Sequence, residues 1–250
     1  MSAGTQWWRT YFDDVFFRLH DPLFTESASR WEVSAIREML ALSFGARILD
    51  VPCGWGRHTA LFAEAGLDAF GADISTDLLA RAEPGTRPRS AHYAAADLRM
   101  LPFADASFDA VINVFTSLGL FLDDAEDIRA LIEARRVLAP DGALLLESMH
   151  RDEVIAAYAE RDRWRLPDGT EIRVRRRFDP VRGISHERWR WRSRDGTEQG
   201  EKRHALRLRT ATEIDGLLRA AGFADIAYYG DWDGSPLTHD AERLIAVARA

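Results

Sequence analysis

Residues 48–66 read ILDVPCGWGRHTALFAEAG, and this stretch narrows the fold further than any other. An apolar run ends in an acid, Asp50. Two glycines, Gly54 and Gly56, then turn the chain sharply, and a helical pattern follows that closes at Gly66. Strand, glycine turn and helix in succession form the opening unit of a parallel α/β sheet, because parallel strands need a crossover to carry the chain back. The turn also has chemical meaning. Glycines let the backbone come close to a ligand, and the start of a helix offers free N–H groups. A tight structural turn would use the same residues, so the turn alone does not identify a ligand.

The alternation continues beyond this unit. LDAFGAD (67–73), SAHYAAAD (90–97), FDAVINVF (108–115) and ALLLESMH (143–150) read as strands. Between them STDLLARAE, with Ser75 as its cap, and DDAEDIRALIEARRVL read as helices, and Pro140-Asp141-Gly142 reads as a turn. Short apolar runs separated by helices predict an α/β fold, a doubly wound and mostly parallel sheet. From Leu166 to Arg209 the period changes to two. Ile172, Val174 and Phe178, then Trp189 and Trp191, then Leu206 and Leu208 alternate with arginines, including Arg209 on the polar side. This predicts a small antiparallel sheet with one apolar and one arginine face. Afterwards Thr210 and Glu213 predict a capping box for the helix ATEIDGLLRAA, and FADIAYYG and RLIAVARA predict two last strands joined by GDWDGSP.

Ahead of the sheet, WWRTYFDDVFFRLHDPLF predicts a helix with Trp8, Tyr11, Phe12, Val15 and Phe16 on one face, broken at Pro22. A second helix is expected from Ser27 to Leu42, with Trp31, Ala35, Met39 and Leu42 at helical spacing. The expected organisation is therefore a helical cap over 1–44, a nucleotide-binding-type domain over 45–160 and 210–250, and a β insertion over 161–209 that serves as lid or interface.

Three acids end three successive strands: Asp50, Asp73 and Asp97. Each alone could be a turn former or a helix cap. Together they lie on the carboxyl edge of one sheet, where open α/β sheets bind ligands. Asp73 holds the position of a carboxylate that accepts both hydroxyls of a ribose, and Asp97 the position of a group that meets an adenine amine. A dinucleotide is disfavoured, because Thr59 stands where the third glycine of G-x-G-x-x-G belongs. Asp50 is also awkward beside a pyrophosphate and better suited to a ligand bearing an ammonium group.

The order of these motifs resembles that of the class I S-adenosylmethionine-dependent methyltransferases, in particular the small-molecule enzymes. The family's D-x-G-x-G-x-G is matched by Asp50-Val51-Pro52-Cys53-Gly54-Trp55-Gly56, with Pro52 in place of the first glycine. The resemblance spans residues 45–150 and, more loosely, the last 40. It implies a seven-stranded Rossmann-like sheet and S-adenosyl-L-methionine as cofactor. Asp50, Gly54 and Gly56 would form the loop site. Asp73 would take the ribose, with Ile74 against the adenine, Asp97 and Leu98 on the adenine side, and Asn113 near the methionine portion. It also implies methyl transfer to a nitrogen or oxygen of a small molecule.

Direct displacement at a methyl carbon demands positioning above all. The groups expected to supply it come from strand ends and the roof. They are His150 as a base or substrate contact, and Phe115, Trp232 and Tyr11 as walls of the acceptor site; Glu147 is expected to be structural. No metal is expected.

The formal charge of −7 argues against a general nucleic-acid binder. Residues 161–209, however, hold 16 basic against 8 acidic side chains, leaving −15 on the remainder. RNA or protein methylation guided by this basic insertion is therefore one rival reading, and a cofactor-binding regulator without catalysis is another. The nucleic-acid amine methylases usually carry N/D-P-P-Y/F after the fourth strand, where this chain reads Asn113-Val114-Phe115-Thr116. The single cysteine, Cys53, rules out an internal disulfide and is expected to be a packing residue. With no signal-peptide pattern and no apolar run near the roughly 20 residues of a membrane span, a cytoplasmic protein with no membrane partner is expected. The insertion's apolar face must cover either the pocket or a second subunit, which makes a homodimer an expectation.

Overall fold

The computed structural model describes residues 6–82 and 91–250. Glu83 and Ser90, the expected end of one helix and start of one strand, lie outside these residues. The chain begins with three helices, α1 (Trp8–Tyr11), α2 (Asp14–His20) and α3 (Glu26–Met39). Next come β1 (Arg47–Asp50), α4 (Arg57–Glu64), β2 (Asp68–Asp73), α5 (Thr76–Arg81), β3 (Ala91–Ala95), β4 (Phe108–Asn113), α6 (Asp124–Val137) and β5 (Leu138–Met149). After α7 (Arg151–Ala156) the insertion supplies β6 (Arg161–Arg165), β7 (Glu171–Asp179), β8 (Ile184–Arg192) and β9 (Gln199–Arg207). The chain closes with α8 (Ala211–Ala220), β10 (Asp225–Tyr229) and β11 (Arg243–Arg249).

The main sheet has seven strands in the order β10-β11-β5-β4-β1-β2-β3, and only β11 runs antiparallel to its neighbours. This is the expected doubly wound architecture. On one face α6 and α8 bury Leu131, Val137, Ile214 and Leu218; on the other, α3 and α4 bury Val33, Ile36, Leu61 and Phe62. The strand order reverses beside β1, between β2 and β4, so the crevice at the carboxyl ends opens there. Local signals behave as their chemistry requires. Ser75 caps α5 by accepting from the Leu78 N–H, and Thr210 and Glu213 form the complete capping box of α8. The Pro140-Asp141-Gly142 turn sits in a register shift of β5, between the Phe108–Leu138 and Ala110–Ala143 pairs.

Three expectations need correction. The aromatic N-terminal segment is two helices, because Asp13 is extended and its carboxylate accepts from Phe16 N–H, starting α2 afresh. In α3 the buried face carries Glu32, Val33, Ala35 and Ile36, while Trp31 is exposed; the helix is turned so that Glu32 faces inward. The insertion has four strands, and Arg209 belongs to no solvent face. It lies beyond β9, buried at 2% exposure, paired with Asp127 and with Asp124 of α6.

The insertion's sheet has the order β6-β7-β8-β9. Its apolar face, Ile172, Val174 and Trp189, packs on Leu19 of α2. The surface that called for a cover is thus covered by the chain's own N-terminal helices.

Candidate functional site

The turn between β1 and α4 is built by backbone geometry. Gly54 and Gly56 have φ of 55° and 70°, a region that suits glycine. Asn113 Nδ2 braces the turn from β4 by donating to Val51 O at 2.9 Å. Thr59, the residue that breaks the dinucleotide pattern, donates its hydroxyl to Asp50 at 2.7 Å. Asp50 is 1% exposed, and burial pushes its carboxyl pKa up. Its place is therefore beneath the loop, as an internal acceptor.

Asp73, at the end of β2, faces the loop. Its Oδ2 accepts from Gly54 N–H and its Oδ1 from Ser75 N–H, both at 2.8 Å. Burial raises its pKa, and the N–H groups of Ser75, Gly54 and Ile74 oppose the rise.

Above these residues lies a cavity of about 1080 Å³, counting the part open to solvent. Of the residues expected at the site, Gly54, Asp73, Ile74, Asp97, Leu98 and Phe115 line it. Asp97 is gripped by Arg99 through Nε (2.8 Å) and Nη2 (2.6 Å), and these bonds hold its carboxyl below the usual range.

The other expected residues lie elsewhere. Asp50 and Gly56 support the turn and line no part of the cavity. Asn113 sits behind the loop, with its Oδ1 buried and unpartnered. Tyr11 is one layer out, its ring against Trp7 and His204, while its neighbours Trp8 and Phe12 form the wall. His150 is 3% exposed and outside the cavity; its Nδ1 donates to Ala241 O at 3.1 Å, bracing the loop before β11. Trp232 folds back into the core with Ile245 and Val247, under the guanidinium of Arg243. Both residues follow strand ends at the correct edge, yet their side chains turn into the protein.

The rest of the cavity wall was anticipated in part: Phe115, expected there, joins Phe12, Phe16, Phe24 and Trp55 in lining the cavity with Arg57 and His58 of α4, and those last two residues were not expected. Glu32 Oε2 takes hydrogen bonds from Arg57 Nη1 (2.6 Å) and His58 Nε2 (2.8 Å). Burial pushes the Glu32 pKa up, but the bonds from His58 and Arg57 outweigh it and hold the carboxyl below its usual value. The Arg57 guanidinium lies between Phe24 and Phe115, 4.7 Å from each ring, and His58 stacks on Phe115. Phe115 itself has a φ of 59°, a strained conformation for a side chain of its size. Its N–H donates to buried Glu147 at 2.6 Å, and Arg243 pairs with that carboxylate. Glu147 is the structural residue expected, and its task is to fix Phe115.

Comparison with known proteins bears on this arrangement. Residues 48–142 match a family model described as a methyltransferase domain. A demethylmenaquinone methyltransferase of Renibacterium salmoninarum is 37% identical over 139 residues, 54% of this chain and 55% of that protein. The chain spans about half the length of the curated relatives it matches. Among solved structures, the S-adenosylmethionine-bound amino pentose methyltransferase CalS10 of Micromonospora echinaspora superposes with a TM-score of 0.73 at 25% identity, over 95% of this chain and 97% of that one. The CcbJ methyltransferase of Streptomyces caelestis reaches 0.83 at 18% identity, covering 97% and 98%, a likeness of fold.

Residues 48–142 are thus similar to a methyltransferase domain, and the sheet that contains them has the class I methyltransferase fold. The residues present fit S-adenosylmethionine as cofactor. Asp73 is a buried carboxylate at the cavity, and Ile74 and Leu98 provide apolar sides. A Cβ on Gly54 would project into nearly open space, 3.9 Å from Leu78, so glycine keeps that part of the cavity clear. No helix among the described residues is long and apolar enough to cross a membrane.

Proposed function

We propose that this protein transfers a methyl group from S-adenosylmethionine to a nitrogen or oxygen of a small-molecule acceptor. One observation carries the reading. A single cavity joins the Asp73 end, with Gly54, Ile74 and Leu98, to an aromatic chamber that contains His58. When bound, S-adenosylmethionine supplies a methyl group already activated on a sulfonium sulfur. In this reading Asp73 holds the sugar hydroxyls, Ile74 and Leu98 flank the base, and the turn at Gly54 receives the amino-acid end.

The aromatic walls exclude water and orient the acceptor; orientation of this kind is worth on the order of 7–11 kcal/mol. Glu32 receives the proton-bearing Nε2 of His58, which leaves Nδ1 as the basic nitrogen; Nδ1 makes no hydrogen bond among the described residues. An acceptor that arrives as N–H or O–H gives its proton to Nδ1, a role worth roughly 10²–10⁴-fold. His58 thus takes the role that the sequence suggested for His150. The names of the relatives, a demethylmenaquinone methyltransferase and an amino pentose methyltransferase, support a small-molecule acceptor.

The test has two steps. S-adenosylhomocysteine at 100 times its Kd should stabilise the protein by about 2.7 kcal/mol, and NAD should not. Labelled S-adenosylmethionine should then transfer its methyl group to members of a panel of amino sugars and hydroquinones. Absence of any stabilisation by S-adenosylhomocysteine refutes the reading.

A further inference from the structure

The outer face of the inserted sheet carries a row of charge that its own fold leaves unbalanced. Across the four strands Arg161 stands opposite Arg175, Arg175 opposite Arg188, and Arg188 opposite Arg203. The next row along the strands is Arg163, Arg173, Arg190 and Glu201. Like charges directly opposite one another destabilise a sheet. Only two carboxylates on this face make ion pairs among these rows: Glu171 with Arg165 and Arg173, and Glu201 with Arg190 and Arg203. Arg161, Arg175 and Arg188 make no ion pair and no side-chain hydrogen bond among the described residues. The first two are exposed and the third half-buried.

We propose that this arginine face docks a partner protein through a carboxylate-rich surface. Strands lie about 4.8 Å apart and alternate residues about 6.8 Å apart, so the rows form a flat lattice of guanidinium groups. Guanidinium forks pair bidentately with carboxylates and lose less than ammonium groups on desolvation. The face is also rigid from behind, because Ile172, Val174 and Trp189 on the inner side are packed on α2.

Two other polyanions fit less well. Single-stranded nucleic acid is bound by aromatic rings interleaved with the basic residues. Here Trp164, Trp189 and Trp191 belong to the opposite face, in or against the inner cluster. A membrane surface would call for apolar side chains among the arginines, and the paired rows contain none. The segregation of charge points the same way: 161–209 carries a surplus of 8 positive charges on a chain of net −7. A carboxylate-rich partner therefore meets this face and is repelled by the rest of the chain.

The experiment uses the full chain and fluorescein-labelled poly-L-glutamate, read by fluorescence anisotropy at low and physiological salt. The expected result is binding that weakens with salt and is at least 10-fold weaker in R161E/R175E/R188E. The variant should retain wild-type affinity for S-adenosylhomocysteine, since none of the three residues lines the cavity. Should the triple reversal disturb the circular dichroism spectrum, R161S/R175S carries the same comparison with exposed positions alone. Lack of polyglutamate binding, or binding equal in wild type and variant, overturns the proposal. So does tighter binding of poly-uridylate or phosphatidylserine vesicles to this same face.

Discussion

Glu32 is a charged residue on the buried, mostly apolar face of α3, and it organises one wall of the cavity. It receives Arg57 and His58 together, and Ser29, one turn earlier, also accepts from Arg57 at 2.6 Å. Replacing Glu32 by Gln leaves the Arg57 guanidinium without its counter-charge between two phenyl rings. The expected cost is on the order of 3 kcal/mol, read by urea unfolding at pH 7. The pH dependence has a definite sign. The folded carboxyl lies below its unfolded value of about 4.3, so its contribution is complete above that pH and is lost as pH falls through the folded value. Glu32→Gln should therefore lose less stability than wild type on acidification below about pH 4.3. Asp73 makes a different kind of prediction. Asp73→Ala removes the carboxylate that the ribose hydroxyls are proposed to meet. Charge-assisted hydrogen bonds are worth about 1.5–3 kcal/mol, so the Kd for S-adenosylhomocysteine should rise roughly 10- to 150-fold in calorimetry. An unchanged Kd would remove Asp73 from the site.

At the scale of elements, the short helices α1 and α2 form a layer between the cavity and the four-stranded sheet. Lys202, the only lysine, pins that layer by donating to Tyr11 O at 2.7 Å and pairing with Asp13 at 2.8 Å. His20 stacks between Phe16, at 3.9 Å, and Trp189, at 4.8 Å. Burial pushes its pKa down to about 4, against the opposing bond to Phe16 O. An unfolded histidine takes up its proton near about pH 6.5. Between these values the unfolded chain binds a proton that the folded chain refuses, so stability falls as pH drops from about 6.5 to about 4 and is unaffected above. His20→Phe keeps the stack without the proton. It should remove on the order of 2–3 kcal/mol of that acid loss, measured by thermal unfolding across the pH range. The sequence made some elements legible and hid others for identifiable reasons. The alternating units of the main sheet were readable because period and caps agreed: Gly66 closed α4, Ser75 opened α5, and Thr210 with Glu213 opened α8. β6 was hidden because RDRWR offers one apolar residue, Trp164, and no alternation. The Asp73 side of the cavity was readable from strand ends, whereas the aromatic chamber depends on how α1–α3 fold over the sheet. His150 and Trp232 were placed at the correct edge, but a strand end does not say which way the next side chain turns. Glu32 left a signal after all, a carboxylate among Val33, Ala35 and Ile36.

For the molecule as a whole, the order of layers is cavity, N-terminal helices, inserted sheet, and it couples the site to the roof through Leu19. Leu19 is 3% exposed and packs with Ile172, Val174 and Trp189, while the residues just before it, Phe12 and Phe16, wall the cavity. An aspartate at position 19 would bury a charge without a partner, a cost several times larger than any local contact could offset. The segment has a way to avoid that cost, since it can lift from the sheet while the main fold, with its own two clusters, stays intact. Lifting has two consequences that can be measured separately. The cavity loses one wall, so S-adenosylhomocysteine should bind at least 10-fold more weakly. The inner face of the sheet becomes an exposed apolar patch, and such patches drive self-association. Leu19→Asp should therefore convert a concentration-independent elution profile into one that shifts toward dimer, measured by size-exclusion chromatography with light scattering. Amide exchange should accelerate over 8–20 and remain slow in β1, β4 and β5. If binding weakens without self-association, the inner face of the sheet is held by something other than these helices, and the layered order is wrong.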